Sequence, residues 1–188
     1  MSLQGLIQRA DFGETSAGHS LPDHKPIEQT IECLPWGVRR LAAQLHTQLS
    51  KRELWLVLTD YEHLSNFIPN LASSQILNRS GNRIHLHQIG SQQLLGLRFS
   101  ATVELELVEH YPEGLILFHM LRGDFRRFEG AWRIRSLPKS DATLLLYEVT
   151  VQACTGMPIR IIEQRLREDL TANLMAVHKE AQQRAAVG

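Results

Sequence analysis

The C-terminal end of the chain carries the pattern that most restricts the fold. From Pro158 onward, apolar residues recur at spacings of three and four, and charged residues fill the other face. The apolar positions are Ile159, Ile162, Leu166, Leu170, Leu174, Val177 and Ala181. This period predicts one amphipathic helix. About 28 residues at ~1.5 Å each make it ~42 Å long. A helix of this length needs an extended apolar surface to cover.

The preceding sequence predicts that surface as an antiparallel sheet. Runs of alternating apolar and polar residues are separated by turn residues, which predicts six consecutive strands. The breaks lie at Ser80-Gly81-Asn82, Gly90-Ser91, Pro112-Glu113-Gly114, Gly123-Asp124 and Pro138–Asp141. An earlier run, from Arg40 to Leu49, also alternates and predicts a first strand. Seven strands spaced ~4.8 Å apart make a sheet about 30 Å wide, which the long helix can cross.

Two short helices are predicted between the first strand and the others. Ser50 stands three residues before Glu53, the spacing of a capping box, and opens an apolar helix. A second short helix ends near Phe67, because Pro69 disfavours helical dihedrals at Ile68. Phe67, Ile68 and Pro69 therefore form an apolar tip in a turn, where polar residues are usual. We call these three residues the tip.

The N-terminal part of the chain is the least patterned. We expect residues 1–37 to be a flexible or loosely docked extension and residues 38–188 to be one domain. Within the extension, Gln29 to Leu34 has the composition of a short edge strand.

Composition excludes several classes of protein. The 188 residues include 20 basic and 20 acidic residues, so net charge indicates neither a nucleic-acid partner nor an anionic membrane. Cys33 and Cys154 form no CxxC pair, which argues against a disulfide framework or a zinc site. No apolar run reaches the length of a transmembrane segment, and the first residues lack the features of a signal peptide. We therefore expect a cytoplasmic protein, for which transient membrane contact stays open.

Four segments resemble a known family. They are LTDYEHLSNFIPNLASSQIL (Leu58 to Leu77), RRFEGAWRI (Arg126 to Ile134), LLYEVTVQA (Leu145 to Ala153) and the helix led by Pro158. Together with the element order, they resemble the START-like superfamily of polyketide cyclase/dehydrase and lipid-transfer domains. The likeness covers residues 39 to about 184. It is strongest to the bacterial cyclase/dehydrase branch, which includes coenzyme Q-binding proteins.

The resemblance implies an α+β helix-grip fold. A curved antiparallel sheet of about seven strands wraps around the long C-terminal helix, with two short helices after the first strand. It also implies an apolar cavity between sheet and helix that holds a lipid, quinone, polyketide or other hydrophobic ligand. It does not imply catalysis, because many members only bind or carry.

Alternation identifies side chains that would line such a cavity. Phe99, Trp132 and Tyr147 each share a strand face with apolar residues. His119 is flanked by apolar residues, so it is either a hydrogen-bonded core histidine or a ligand contact. Small residues on these faces, including Gly130, leave room for a ligand. A packed core without a cavity is the alternative. The predicted ligand-binding set is Phe67, Ile68, Pro69, Phe99, His119, Trp132, Tyr147, Leu166 and Leu170.

The sequence offers little chemistry beyond this cavity. Phosphate-binding loops, HExxH, GxSxG and Cys/His metal spacings are absent. His85 and His87 share a strand face, and we expect them to face solvent rather than to bind a metal. Glu104 and Glu106 alternate with apolar residues, as on the outer face of a half-buried strand. We therefore predict no catalytic residue, no metal and no cofactor.

The main functional prediction is binding or carriage of a hydrophobic small molecule. One alternative is a cyclase or dehydratase that uses the same cavity, and another is a protein-interaction module. The sequence leaves the oligomeric state open.

Overall fold

The computed structural model describes residues 27–94, 97–138, 141–154 and 159–187, with the backbone alone for 92–94, 97–99 and 159–162. Within these residues, eight strands, two α-helices and two short 3-10 segments follow one another. In chain order they are β1 (Glu28–Cys33), a 3-10 turn (Pro35–Gly37), β2 (Val38–Thr47), α1 (Lys51–Leu58), a 3-10 segment (Tyr61–Asn66), β3 (Leu71–Ser80), β4 (Arg83–Leu94), β5 (Leu97–His110), β6 (Leu115–Gly123), β7 (Phe125–Ser136), β8 (Thr143–Ala153) and α2 (Ile159–Val187).

All eight strands form one curved antiparallel sheet in the order β1-β2-β8-β7-β6-β5-β4-β3. The pairing of β2 with β8 joins the first predicted strand to the last one. The predicted α+β helix-grip architecture is therefore confirmed. The sheet has one strand more than the seven we counted, because the short edge strand expected at Gln29 to Leu34 also forms.

The long helix lies against the inner face of the sheet. α2 packs on β2, β8 and α1. Its apolar stripe is buried, as the three-and-four spacing predicts, with Leu166 partly exposed. The buried members are Leu170, Leu174, Val177 and Ala181. The side chains of Ile159 and Ile162, and the whole of Pro158, lie outside the described residues. None of the helices described is both long and apolar enough to cross a membrane.

The two short helical segments pack against the sheet and the long helix: α1 contacts α2 and β7, and the 3-10 segment contacts β3. Ser50 and Glu53 form the predicted capping box at the start of α1. Tyr61 begins the 3-10 segment, and its hydroxyl donates to Glu109 Oε1 on β5 at 2.9 Å. Arg79 on β3 donates to the same oxygen at 2.7 Å. The bond from Tyr61 attaches the 3-10 segment to the far half of the sheet.

β1 lies at the edge of the sheet, inside the segment predicted as a loosely docked extension. Its six residues pair along β2 from Glu28 to Cys33. Gln29 Nε2 also donates to the carbonyl oxygen of Arg167 on α2 at 2.9 Å. The sheet therefore begins before residue 38. Residues 1–26 lie outside the described residues.

The predicted break at Gly90-Ser91 is wrong. β4 continues through both residues, because Gly90 pairs with Leu71 on one side and Ala101 on the other. The amide of Ser91 also donates to the carbonyl oxygen of Asn70 at 2.8 Å. The glycine is therefore where the backbone after the tip meets the sheet.

Candidate ligand-binding site

Trp132 and Tyr147 face each other across neighbouring strands on the inner side of the sheet. Trp132 on β7 is paired in register with Tyr147 on β8. Their rings are stacked, with centroids 4.0 Å apart and planes 6° apart. Both shared faces that alternation predicted are confirmed, since Ile134 and Leu145 beside them are buried in the core. The structure thus brings these two predicted site residues together.

Three phenylalanines extend this surface. Phe118 on β6 has its ring centroid 6.2 Å from that of Tyr147 and 5.7 Å from that of Phe128. Phe125 stacks on Phe128 at 5.5 Å. We call these five side chains the aromatic wall: Phe118, Phe125, Phe128, Trp132 and Tyr147. The predicted ligand-binding set contained none of these three phenylalanines, although Phe118 alternates with Ile116 and Met120.

The aromatic wall is incompletely covered. Three of its side chains lie on the inner side of the sheet and pack against the core, but remain partly exposed: Phe125, Phe128 and Trp132. Ile134, on the same face of β7 and nearer α1, is fully covered at 2% exposure. Large apolar side chains that face inward and stay partly exposed are typical of a space that a ligand can enter.

Tyr147 brings a hydroxyl, a polar group, into this wall. Tyr147 is 9% exposed. Burial, and secondly the charge of Asp169, raise the pKa of the Tyr147 phenol above its usual value, so it stays protonated. None of the described residues accepts a hydrogen bond from this hydroxyl. The protonated phenol is therefore a hydrogen-bond donor on the inner side of the sheet.

α2 presents polar side chains to the same region. Leu170 is buried and Leu166 partly buried, and Asp169 lies between them in sequence. Asn70 Nδ2 donates to Asp169 Oδ1 at 3.0 Å. Four residues after Asp169, the Oδ1 atom of Asn173 is buried and has no hydrogen-bond partner among the described residues. The sequence analysis missed all three polar residues, because their contacts join distant parts of the chain.

A further polar pair lies on the inner face of β3 and β4. Gln88 shares its face with the buried residues Ile84 and Leu86. Its Nε2 donates to the hydroxyl of Ser74 on β3 at 3.1 Å, and Ser74 is buried. The sequence analysis did not predict these two uncharged residues, because a single glutamine in an alternating strand is common on a protein surface.

The tip is held between the sheet and α2. Phe67 and Ile68 are partly buried against the core, whereas Pro69 is exposed. The guanidinium of Arg184 on α2 lies 5.9 Å from the centroid of the Phe67 ring. Arg184 also pairs with Asp60 at 2.8 Å. The tip and the 3-10 segment before it are therefore attached to the C-terminal half of α2.

This attachment makes part of the stability depend on pH. Burial raises the pKa of the Asp60 carboxyl, but hydrogen bonds from His63 and Arg184 outweigh it and hold the pKa below its usual range. A lowered folded-state pKa stabilises the fold above the unfolded value of about 3.9, and this contribution is lost as pH falls through the folded-state pKa.

We therefore expect Asp60→Asn to lower the free energy of unfolding by about 1 kcal/mol at pH 7. The difference from wild type should vanish as the pH falls from about 4 to about 2. Urea unfolding at several pH values measures this difference in the free energy of unfolding. Glu62→Gln, a change at an exposed residue of the same segment, is the control. A difference that stays constant down to pH 2 would contradict the assigned ion pair.

His119 does not lie in the site. Its side chain is 50% exposed, and its Nε2 is 3.9 Å from Glu106 Oε1 on the outer face. The expectation of a buried histidine fails because apolar residues occupy both faces of β6, and Phe118 and Met120 take the inner one. The side chain of Phe99, the remaining predicted wall residue, lies outside the described residues.

The outer face of β4 and β5 is charged, as predicted. His85 Nε2 is 3.0 Å from Glu104 Oε2. Arg122 pairs with the same carboxylate at 2.8 Å, and its hydrogen bond is the main reason that the pKa of Glu104 is lowered. Val103 and Leu105 beside it are buried on the opposite face. The described residues contain no group of three side chains placed to hold a metal ion.

Comparison with known proteins identifies the family. The sequence model for polyketide cyclase / dehydrase and lipid transport matches residues 47–178. The chain belongs to this family. The match includes both short helical segments and six of the strands, and stops within α2. β1 and most of β2 lie outside it. No curated protein sequence matches the chain significantly.

Solved structures of similar fold include members with different described roles. The Zhui aromatase/cyclase from a Streptomyces species has a TM-score of 0.69 and 16% identity, over 79% of this chain and 96% of the other. A STAR-related lipid transfer protein from Xanthomonas axonopodis has a TM-score of 0.69 and 15% identity, over 89% and 98%. Human StAR-related lipid transfer protein 5 has a TM-score of 0.66 and 10% identity, over 96% and 91%. At these identities the likeness establishes the fold alone.

Proposed function

We propose that this family member binds a hydrophobic small molecule between α2 and the aromatic wall, and holds or carries it without converting it. The observation that carries the proposal is the partial exposure of inward-facing aromatic side chains around the Trp132–Tyr147 stack. A ligand that buries about 300 Å² of apolar surface there gains roughly 7 kcal/mol at ~25 cal/mol per Å², before the costs of association. Two of the similar structures are described as lipid transfer proteins, which supports an apolar ligand.

The tip fits the role of a lid in this proposal. Phe67 and Ile68 lie between α2 and the sheet. The chain continues from them to Asn70, whose carbonyl oxygen accepts from the amide of Ser91, next to Gly90 on β4. A ligand entering the space between α2 and the wall would pass this segment. Its attachment to α2 through Arg184 and Asp169 is made of exposed or partly exposed polar contacts, which break more easily than buried apolar packing.

An enzyme of the cyclase or dehydratase type is the second candidate. It is favoured by one observation, the carboxylate of Asp169 close enough to affect Tyr147 electrostatically. Such chemistry needs a proton acceptor and a proton donor, and the carboxylate of Asp169 and the phenol of Tyr147 are groups of these two types. We rank binding first because the raised pKa makes the Tyr147 phenol a weaker acid, which gives up its proton less readily than an ordinary tyrosine.

Mass spectrometry of the intact protein under native conditions tests the proposal. Protein purified from the organism that encodes it should carry one bound apolar compound, which extraction with organic solvent releases for identification. The extracted protein should bind that compound again at one molecule per chain. Protein that is free of ligand from this source, and that binds none of a panel of neutral lipids and quinones, would contradict the proposal.

A further inference from the structure

We propose that the turn between β1 and β2 docks the protein on a neutral lipid surface, with the indole of Trp36 inserted at the level of the lipid headgroups. This inference goes beyond the proposed function and does not require a bound ligand. It starts from the 3-10 turn Pro35–Gly37, which precedes β2. We call it the Trp36 turn.

Trp36 is held in a backbone conformation that bulky residues avoid. Its φ angle is 63°, in the left-handed region, where a residue with a large side chain is strained. The amide of Leu34 donates to the carbonyl oxygen of Val38 at 2.9 Å, and the amide of Val38 donates to that of Pro35. Gln152 Nε2 on β8 donates to the carbonyl oxygen of Trp36 at 2.9 Å. The surrounding bonds therefore maintain the strain, which is typical of functional positions.

The indole of Trp36 projects away from the protein. It is 89% exposed, and it forms no hydrogen bond or ring contact with the described residues. Packing therefore gives no reason for a tryptophan at this position. The family model matches residues 47–178, so the Trp36 turn lies outside the matched segment. An indole joins an apolar ring to a polar N–H, the combination that places tryptophan at membrane–water interfaces.

The exposed apolar surface of the Trp36 turn is too small for a protein partner. One tryptophan side chain buries at most about 250 Å², whereas a stable interface takes about 800 Å² from each partner. The other large apolar side chains that are well exposed in the described part of the chain lie outside β1 and β2: Leu56, Leu77, Tyr111, Leu121, Met175 and Val187. A lipid interface, in contrast, accepts a single inserted side chain.

The charges nearest the Trp36 turn favour a neutral lipid surface over an anionic one. Arg39 pairs with Glu163 on α2 at 3.0 Å, and Arg40 pairs with Glu32 on β1 at 2.8 Å. Anionic lipids are attracted by free basic side chains close to the membrane. Carboxylates already neutralise these two arginines, so the indole provides the attraction to the membrane.

The aromatic wall begins at the same end of the sheet. Phe125, which is partly exposed, pairs with Ala153 on β8. Ala153 follows Gln152, which holds the Trp36 turn. Docking through this turn therefore brings the wall close to the lipid, where an apolar ligand is concentrated.

Co-flotation of the intact chain with phosphatidylcholine vesicles tests the proposal. Wild type should float with the vesicles, and Trp36→Ala should lower the partition coefficient about tenfold. Trp36→Tyr keeps an amphipathic ring and should keep at least about a third of the affinity. Adding about 30% phosphatidylglycerol should raise the partition coefficient less than about twofold. Tyr111→Ala is the matched control and should leave partition unchanged, because it removes an exposed aromatic ring from the turn between β5 and β6, at the opposite end of the sheet.

Tryptophan emission identifies the docking surface. Vesicles of brominated phosphatidylcholine should quench part of the emission of wild type and none of the emission of Trp36→Ala. The inference is overturned by wild type that does not float, by equal flotation of wild type and Trp36→Ala, or by unquenched emission of floated wild type. A wild-type dimer that Trp36→Ala converts to a monomer in light scattering would also overturn it, because a second copy would then cover the indole. These outcomes leave the proposed ligand site untouched, since native mass spectrometry tests that site separately.

Discussion

Gly130→Ala is expected to lower the free energy of unfolding by about 3 kcal/mol or more. A Cβ atom at this position would overlap the backbone carbonyl oxygen of Glu148 on β8 and lie 2.6 Å from Cζ of Phe118. The Phe118 ring can turn aside, but the carbonyl belongs to the strand paired with β7. The methyl group therefore separates β7 from β8 at the centre of the sheet. Chemical denaturation measures the loss.

Gly90→Ala is the matched control for this prediction. It is also a glycine in a paired strand, but its Cβ would meet only Asn70 O at 3.7 Å and Ala101 O at 3.8 Å, which are ordinary contacts. We expect a change within about 1 kcal/mol. Equal losses in the two variants would show that the close approach of the Glu148 carbonyl to Gly130 is wrong. The same contact corrects the sequence analysis, because Phe118 and not a ligand fills the room that Gly130 leaves.

Trp132→Ala is expected to weaken ligand binding about fiftyfold, with a smaller effect on folding. The indole forms the face of the stack with Tyr147 and is partly exposed toward the proposed ligand, so its removal takes away a central contact. Because the side chain is not fully buried, we expect the free energy of unfolding to fall by only about 2 kcal/mol, less than for a buried tryptophan. Titration with the co-purified compound gives the ligand affinity, and denaturation of the ligand-free protein gives the free energy of unfolding.

Trp36→Ala provides the comparison. Trp36 is 89% exposed in the turn between β1 and β2 and belongs to no part of the aromatic wall. Neither affinity nor stability should change by more than about 0.5 kcal/mol. If Trp132→Ala instead unfolds the protein and leaves the affinity of the remaining folded fraction intact, the wall is a packed core and no binding surface.

Much of the fold could be predicted, because local patterns specify it. Alternation in β7 and β8 assigned Trp132 and Tyr147 to inner faces, and the three-and-four spacing assigned Leu170 to the buried stripe of α2. These assignments depend on residues close in sequence. The tip was recognised for the same reason, since Pro69 ends a short helix locally.

The rest of the site depends on contacts that no local pattern contains. His119 was misplaced because β6 is apolar on both faces, and only its partner strands decide which face is inside. Asp169 could not be distinguished in the sequence from the other charged residues of α2. Its hydrogen bond to Asn70 joins residues that are 99 positions apart in the chain. Gly90 looked like a turn residue, although it is a strand residue where another segment approaches closely.

The central claim is that a ligand occupies the space in front of the Trp132–Tyr147 stack, and fluorescence of Trp132 tests it most directly. The chain has three tryptophans, Trp36, Trp55 and Trp132, so the double variant Trp36→Phe/Trp55→Phe leaves Trp132 as the sole emitter. Titration with a short-chain neutral quinone should quench this emission saturably, with one quinone per chain. Emission that stays unchanged while native mass spectra show the quinone bound would place the ligand elsewhere and contradict the claim.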